Sequence, residues 1–167
     1  MRSVAAFLAA LVLASLASAC GRGRVVSAHG VRVVVPPGWH EVQAVRNGAV
    51  IDPRTLLVVG TAGARTKPSR CQIAAYRVPA AGAVVVVVGW SSVTTAGGGP
   101  WNPGRAPLEA LRGVHRPSFE CFSGRGAVAD VLLGAKPYQV NVLVGDRAST
   151  HRVAEALAVA RSFDLVR

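Results

Sequence analysis

The sequence predicts an α+β fold: a mostly antiparallel β-sheet, a C-terminal helix packed on one face, and one disulfide. Residues 126–163 alternate apolar and polar positions through two runs and then switch to helical spacing. Five consecutive valines at 84–88 form the centre of a second apolar run. With 51% hydrophobic residues, the chain has enough apolar surface for a real core and lacks the composition of disorder.

The stretch from Gly126 to Phe163 reads as strand, tight turn, strand and amphipathic helix. Ala127, Ala129, Val131 and Leu133 fall on one face of the first strand, with Val128, Asp130 and Leu132 on the other. The loop Gly134-Ala135-Lys136-Pro137 punctuates the pattern, and so short a connection makes the pair antiparallel. The return strand puts Tyr138, Val140, Val142 and Val144 opposite Gln139, Asn141 and Leu143. Asp146 or Ser149 caps the helix, because a side-chain oxygen there satisfies an orphan N–H. Val153, Ala156, Leu157 and Ala160 form its apolar stripe, with His151, Arg152, Glu155 and Arg161 outward. Phe163 to Val166 then ends the fold as a short strand.

Earlier in the chain, residues 24–28 and 31–35 read as a hairpin turning at His29-Gly30. Residues 42–50 and 56–60 read as further strands around the turn Asp52-Pro53-Arg54. Gly60 to Lys67 lacks the Gly-Lys-Ser/Thr of a phosphate loop and reads as a basic surface loop. Cys71 to Tyr76 reads as one or two helical turns, and 84–88 as a central strand covered on both faces. Residues 91–118 are irregular and rich in Gly and Pro; a loop of that length is functional or mobile. Within it Trp101 is the candidate partner contact, against the alternative of a ring folded back over the sheet edge. Trp39 and Trp90 are expected in the core.

The first 19 residues carry one Arg, an apolar run from Val4 to Leu16 and then small residues, the shape of a secretory signal peptide. Leu16-Ala17-Ser18-Ala19-Cys20 resembles the bacterial lipoprotein cleavage motif, with Ala17 where Leu is commonest. That resemblance implies cleavage before Cys20 and a diacylglyceryl thioether on its sulfur, often with N-acylation such as palmitate. The alternative is an ordinary secretory cut near Ala19 that leaves a free Cys. The domain organisation expected is therefore signal peptide 1–19, lipidated Cys and short linker 20–24, and a single domain 25–167.

Three Cys is an odd number for an exported chain. With Cys20 acylated, Cys71 and Cys121 remain as a pair, and in an oxidising compartment a disulfide is the default. Closing a loop of about 50 residues stabilises by on the order of 4 kcal/mol in the chain-entropy model. A metal site built on Cys71, Cys121 and His115 lacks a fourth ligand.

The strand ending in Pro36-Pro37-Gly38-Trp39 near the start of a small exported domain resembles actinobacterial lipoprotein domains with a PsbP-like fold. The resemblance implies an antiparallel sheet flanked by helices, and binding or assembly roles more than catalysis.

No Gly-x-Ser-x-Gly elbow is present, and the four His are scattered without metal-ligand spacing, so neither a catalytic residue nor a cofactor is expected. Glu41, Glu120 and Asp130 are the acids that could meet in space. A chain starting at Cys20 carries 18 basic and eight acidic residues, a net +10. Export, dispersed Arg residues and only 5% aromatics argue against nucleic acid. The partners expected are the membrane through the N-terminal lipid, and an envelope protein or anionic polymer.

Overall fold

The valine run lies where its composition directs it, with every residue from Ala83 to Gly89 buried. Alternate valines point into two separate cores, one on each face of the sheet that this strand centres. A computed structural model describes residues 23–45, 52–97, 101–115, 122 and 124–167.

The elements in chain order are β1 (Arg24–Ala28), β2 (Val31–Val35), β3 (Trp39–Glu41), β4 (Arg54–Thr61), β5 (Arg65–Thr66), β6 (Tyr76–Arg77), β7 (Ala83–Gly89), β8 (Asn102–Pro103), α1 (Ala106–Glu109), β9 (Arg125–Leu133), β10 (Lys136–Val144), α2 (Thr150–Arg161) and β11 (Asp164–Leu165). The central sheet runs β3-β4-β7-β10-β9-β8. Its pairings are antiparallel except β8, which lies parallel to β9. A three-stranded sheet, β1-β2-β11, and a two-stranded ribbon, β5-β6, complete the set.

The larger core fills one face of the central sheet. Val85 and Val87 meet Val140 and Val142 there, under Leu157, Ala160 and Phe163 from the C-terminal segment and Val31, Val33 and Val35 from β2. Trp39 is buried in it, as expected. On the other face Val84, Val86, Val88 and Leu143 pack against Tyr76 and Ala75. The chain thus forms three layers, with the helix and the β1-β2-β11 sheet on one side and the β5-β6 ribbon on the other.

The hairpin of β9 and β10 follows the alternation of its residues, and α2 lies across its apolar face. The Ser149 hydroxyl accepts from Arg152 N at 3.2 Å and caps the helix start. The helix ends under Arg105, whose guanidinium donates to the carbonyls of Arg161, at 2.6 Å, and Phe163. A cation at the carbonyl end of a helix is placed where the backbone dipole is negative.

Three local expectations are corrected. The turn between β9 and β10 is Gly134-Ala135 alone, both with positive φ (55° and 61°), and Lys136 and Pro137 belong to β10. Pro137 is tolerated in the strand because its carbonyl, and with it the side lacking an N–H, faces Trp90 N beyond the last β7 pair, Gly89–Tyr138. The strand expected over 42–50 stops at Glu41: Val42 still donates to Val58 O, but Val45 N turns away to Tyr76 Oη at 3.0 Å. Its remaining part lies outside the described residues. Residues 71–75 form bends and a turn rather than helix, and Tyr76 already belongs to β6, because Ser69 Oγ takes the Cys71 N–H at 3.0 Å and Gln72 is held by Pro53 O at 2.6 Å. Such local side-chain bonds compete with helical pairing.

Candidate functional site: a basic cleft beside the ribbon

The site grows from a turn that the sequence reading treated as surface loop. Gly63, at φ 84°, lets the chain reverse after β4, and Ala64 N closes the turn on Thr61 O at 2.9 Å. Thr61 itself is buried, its hydroxyl accepting from Ala83 N at 3.1 Å, so the turn is fixed to the central strand. The following Arg65 and Thr66 pair with Arg77 and Tyr76 respectively. Tyr76 inserts its ring into the smaller core, where burial pushes its hydroxyl pKa up despite the Val45 N–H it accepts. Side chains alternate along a strand, so Arg65 and Arg77 are left together on the outer face. Lys67 lies two residues beyond Arg65 and is also exposed.

These three cations line an open cleft of about 600 Å³. Its other wall is Phe122, Gly124 and the junction from β10 to α2, namely Val144, Gly145 and Asp146. Pro79 and Ala80 form one end, packed under that junction through Gly145 N to Gly82 O and Arg147 N to Ala80 O. Among the described residues Asp146 is the one carboxylate of the lining, and none of the three cations forms an ion pair there. The volume lies within the usual range of ligand pockets. Guanidinium forks there can take a phosphate, sulfate or carboxylate in paired hydrogen bonds. What the described lining offers is charge neutralisation and positioning, from two guanidinium groups and an ammonium.

A second open cleft of about 650 Å³ lies between the β1–β2 turn and residues 41–45. His29 and Glu41 are its titratable groups, and His29 Nδ1 is 2.8 Å from Leu56 O. Its described lining carries no comparable concentration of charge.

The residues singled out from sequence are placed as follows. Trp101 is half-buried, its ring edge-to-face on Trp90 with centroids 5.1 Å apart. The next two residues, Asn102 and Pro103, extend the central sheet as β8. Trp90, expected in the core, is partly exposed and packs at the border of the smaller one. The loop leaving it is tied down rather than free. Asp52 accepts from both N and Oγ of Ser91, and Ser92 and Thr95 exchange side-chain and backbone bonds. The Ser91 hydroxyl is the main cause holding the Asp52 carboxyl below its ordinary pKa.

Cys71 is half-buried on the segment leading into β6. Cys20, Cys121 and Glu120 lie outside the described residues. Glu41 and Asp130 sit on β3 and β9, with three strands between them, roughly 19 Å apart at ordinary strand spacing, and are not brought together. Asp130 instead accepts from Gln139 Nε2 at 2.9 Å. His115 N and O pair with Gly126 as a β-bridge. No group of three His, Cys, Asp or Glu able to hold a metal occurs among the described residues. Among those residues, too, no helix is long and apolar enough to cross a membrane.

Arg77 is the site residue that the sequence reading missed. The one signal was its place beside Tyr76, a large ring needing burial, which turns its neighbour outward. In comparisons with known proteins, the chain matches no family model, no curated protein and no solved structure.

Proposed function

We propose that this chain is an exported, lipid-anchored domain with a non-catalytic binding role at the cell envelope, and that the Arg65–Lys67–Arg77 cleft takes the anionic group of its ligand. The observation that carries this reading is a cluster of three cations in an open cleft, with no ion pair among the described residues. Two guanidinium groups facing each other across a ribbon repel, and an anion between them relieves that repulsion. Among the described lining residues there is no nucleophile with an adjacent base, and the cations themselves are suited to holding an anion.

The placement rests on the N-terminal residues: a signal segment, then Cys20 acylated and held at the outer face of the cytoplasmic membrane. A Cys71–Cys121 disulfide belongs to the same reading. It would join the segment entering β6 to the residue preceding Phe122, and so brace both walls of the cleft. Trp101 is the remaining candidate contact for an envelope protein, in the second reading of the role as assembly.

The test is binding of the acylated chain, in detergent, to a polyglycerol-phosphate polymer and to a neutral polysaccharide of similar length. Binding of the anionic polymer alone, falling steeply with salt and weakened in Arg77→Glu, is expected. Equal binding of both polymers, or binding indifferent to salt, would remove the cleft from the account and leave a protein partner.

A further inference from the structure

The described residues expose three large aliphatic side chains: Val25 at 54%, Val34 at 42% and Val166 at 49%. All three lie on the outer face of one small sheet. Val25 stands directly opposite Val34 in the β1–β2 register. Arg32 and Asp164 are partners on the same face, joined by an ion pair at 3.2 Å. Val166 continues that row two residues on, its N–H donating to Gly30 O at 2.9 Å. The alternate positions, Val26, Val31, Val33 and Val35, are buried in the larger core. Isolated surface valines are ordinary, whereas a face that gathers every exposed one among the described residues has a use.

The chain also enters the domain on this face. A side chain on Gly23 would meet Val34 Cγ1 at 2.6 Å, so the backbone of Gly23 runs against the exposed valine pair. Cys20 is three residues earlier, a reach of ~10 Å at full extension.

We propose that the outer face of the β1-β2-β11 sheet is the surface that this chain lays on its lipid bilayer, with Val25 and Val34 at the headgroup boundary. The inference rests on acylation of Cys20, which fixes the Val25–Val34 end of the face within a headgroup's depth of the membrane. The Arg32–Asp164 pair keeps the middle of the face neutral, and in the sequence Arg22 lies between Cys20 and Gly23, a charge suited to anionic lipid. Shallow burial of aliphatic side chains beside basic ones is how interfacial surfaces bind. One consequence concerns the basic cleft. The β5-β6 ribbon covers the opposite face of the central sheet, so a chain lying on β1-β2-β11 turns its cleft away from its own membrane. The anion it takes is then on the wall side rather than a headgroup of the bilayer beneath it.

The experiment uses the full chain purified with its lipid, its mass confirming the diacylglyceryl adduct, in vesicles containing phosphatidylglycerol. Val25→Trp and Val34→Trp add a fluorophore at the proposed contact, and Ala62→Trp adds one at the exposed turn beside the cleft. With acyl-brominated lipid, loss of most of the added emission at 25 and 34 but not at 62 is expected, each variant first matching the wild-type unfolding midpoint. Undiminished emission at 25 and 34 in a correctly acylated chain overturns the docking face and leaves the anchor standing. A mass without adduct overturns the anchor and this inference with it. A dimer of the acylated chain in detergent that Val34→Lys dissolves assigns the face to a second copy and overturns the membrane contact.

Discussion

Arg65 stands directly opposite Arg77 across the β5-β6 ribbon, two like charges in register where cross-strand pairs ordinarily stabilise. Stability and ligand binding should therefore pull in opposite directions at this pair. Arg77→Glu replaces repulsion with an attractive partner for Arg65, so its unfolding midpoint is expected to rise slightly. The same change should weaken binding of an anionic polymer by about tenfold or more, since ~1.4 kcal/mol is a factor of ten and one charge-assisted bond is worth at least that. Thermal unfolding and a binding titration on one preparation check both signs. A fall in both quantities would mean that the pair is structural.

Much of the fold could be read from local pattern, because period-two alternation and a helical stripe are short-range signals. That holds for residues 126–163 and for the valine run, whose two-sided burial follows from the absence of any polar face. What could not be read is where short strands go. β11 leaves α2 to pair with β2, and Asn102-Pro103 joins β9 in parallel; both depend on contacts distant in sequence. The cleft has the same origin. Arg65 and Lys67 were visible as a basic loop, but Arg77 meets them only because Tyr76 is buried.

The C-terminal end of α2 is expected to depend on Arg105. Its guanidinium donates to the carbonyls of Arg161 and Phe163 and lies 3.8 Å from Asp164. Arg105→Ala leaves those carbonyls without their donor and should cost about 2 kcal/mol. Arg105→Lys, with one ammonium in place of a planar fork, should recover only part of that. Urea unfolding of the three proteins gives the order; a harmless Arg105→Ala would show that the cap is dispensable.

Acid should unfold the protein partly through Asp164 and Asp52. Burial pushes the Asp164 carboxyl up, but the Leu165 N–H, the Arg32 hydrogen bond and the charges of Arg105 and Arg32 outweigh it and hold the pKa below its ordinary value. Asp52 is lowered too, chiefly by the Ser91 hydroxyl. A carboxyl depressed in the folded state contributes stability that is complete above its unfolded pKa, about 4, and is lost as pH falls through the folded value. Asp164→Asn should therefore lower stability at neutral pH and flatten the decline below pH ~4. Parallel acid limbs for the variant and wild type would exclude the linkage.

Asn141 is fully buried on β10, facing the smaller core. Its Nδ2 reaches Val86 O at 3.4 Å, and its Oδ1 has no partner among the described residues. An acceptor removed from water without compensation is a cost, and its neighbours Val86 and Leu143 are apolar. Asn141→Val is expected to raise stability by about 1 kcal/mol, read as a shift of the urea midpoint. A loss instead would mean that the Nδ2 bond to Val86 O outweighs the unpaired oxygen.

Gly145 is where the cleft and the fold constrain one residue together. A Cβ there would meet Pro79 O at 2.1 Å and Ala80 O at 2.4 Å, both backbone atoms that cannot swing aside. The turn bearing them is fixed to the same junction through Gly145 N to Gly82 O and Arg147 N to Ala80 O, so any displacement breaks hydrogen bonds. Gly145→Ala should destabilise by about 2–3 kcal/mol, at the upper end of overpacking changes, because backbone rather than side chain must move. Gly113→Ala is the control, since nothing lies within 4 Å of its added methyl. Pro79, Ala80 and Gly145 all line the cleft, so the surviving folded fraction of Gly145→Ala should also bind the anionic polymer more weakly. Unchanged affinity in that fraction would place the ligand on the ribbon alone, away from the β10–α2 wall.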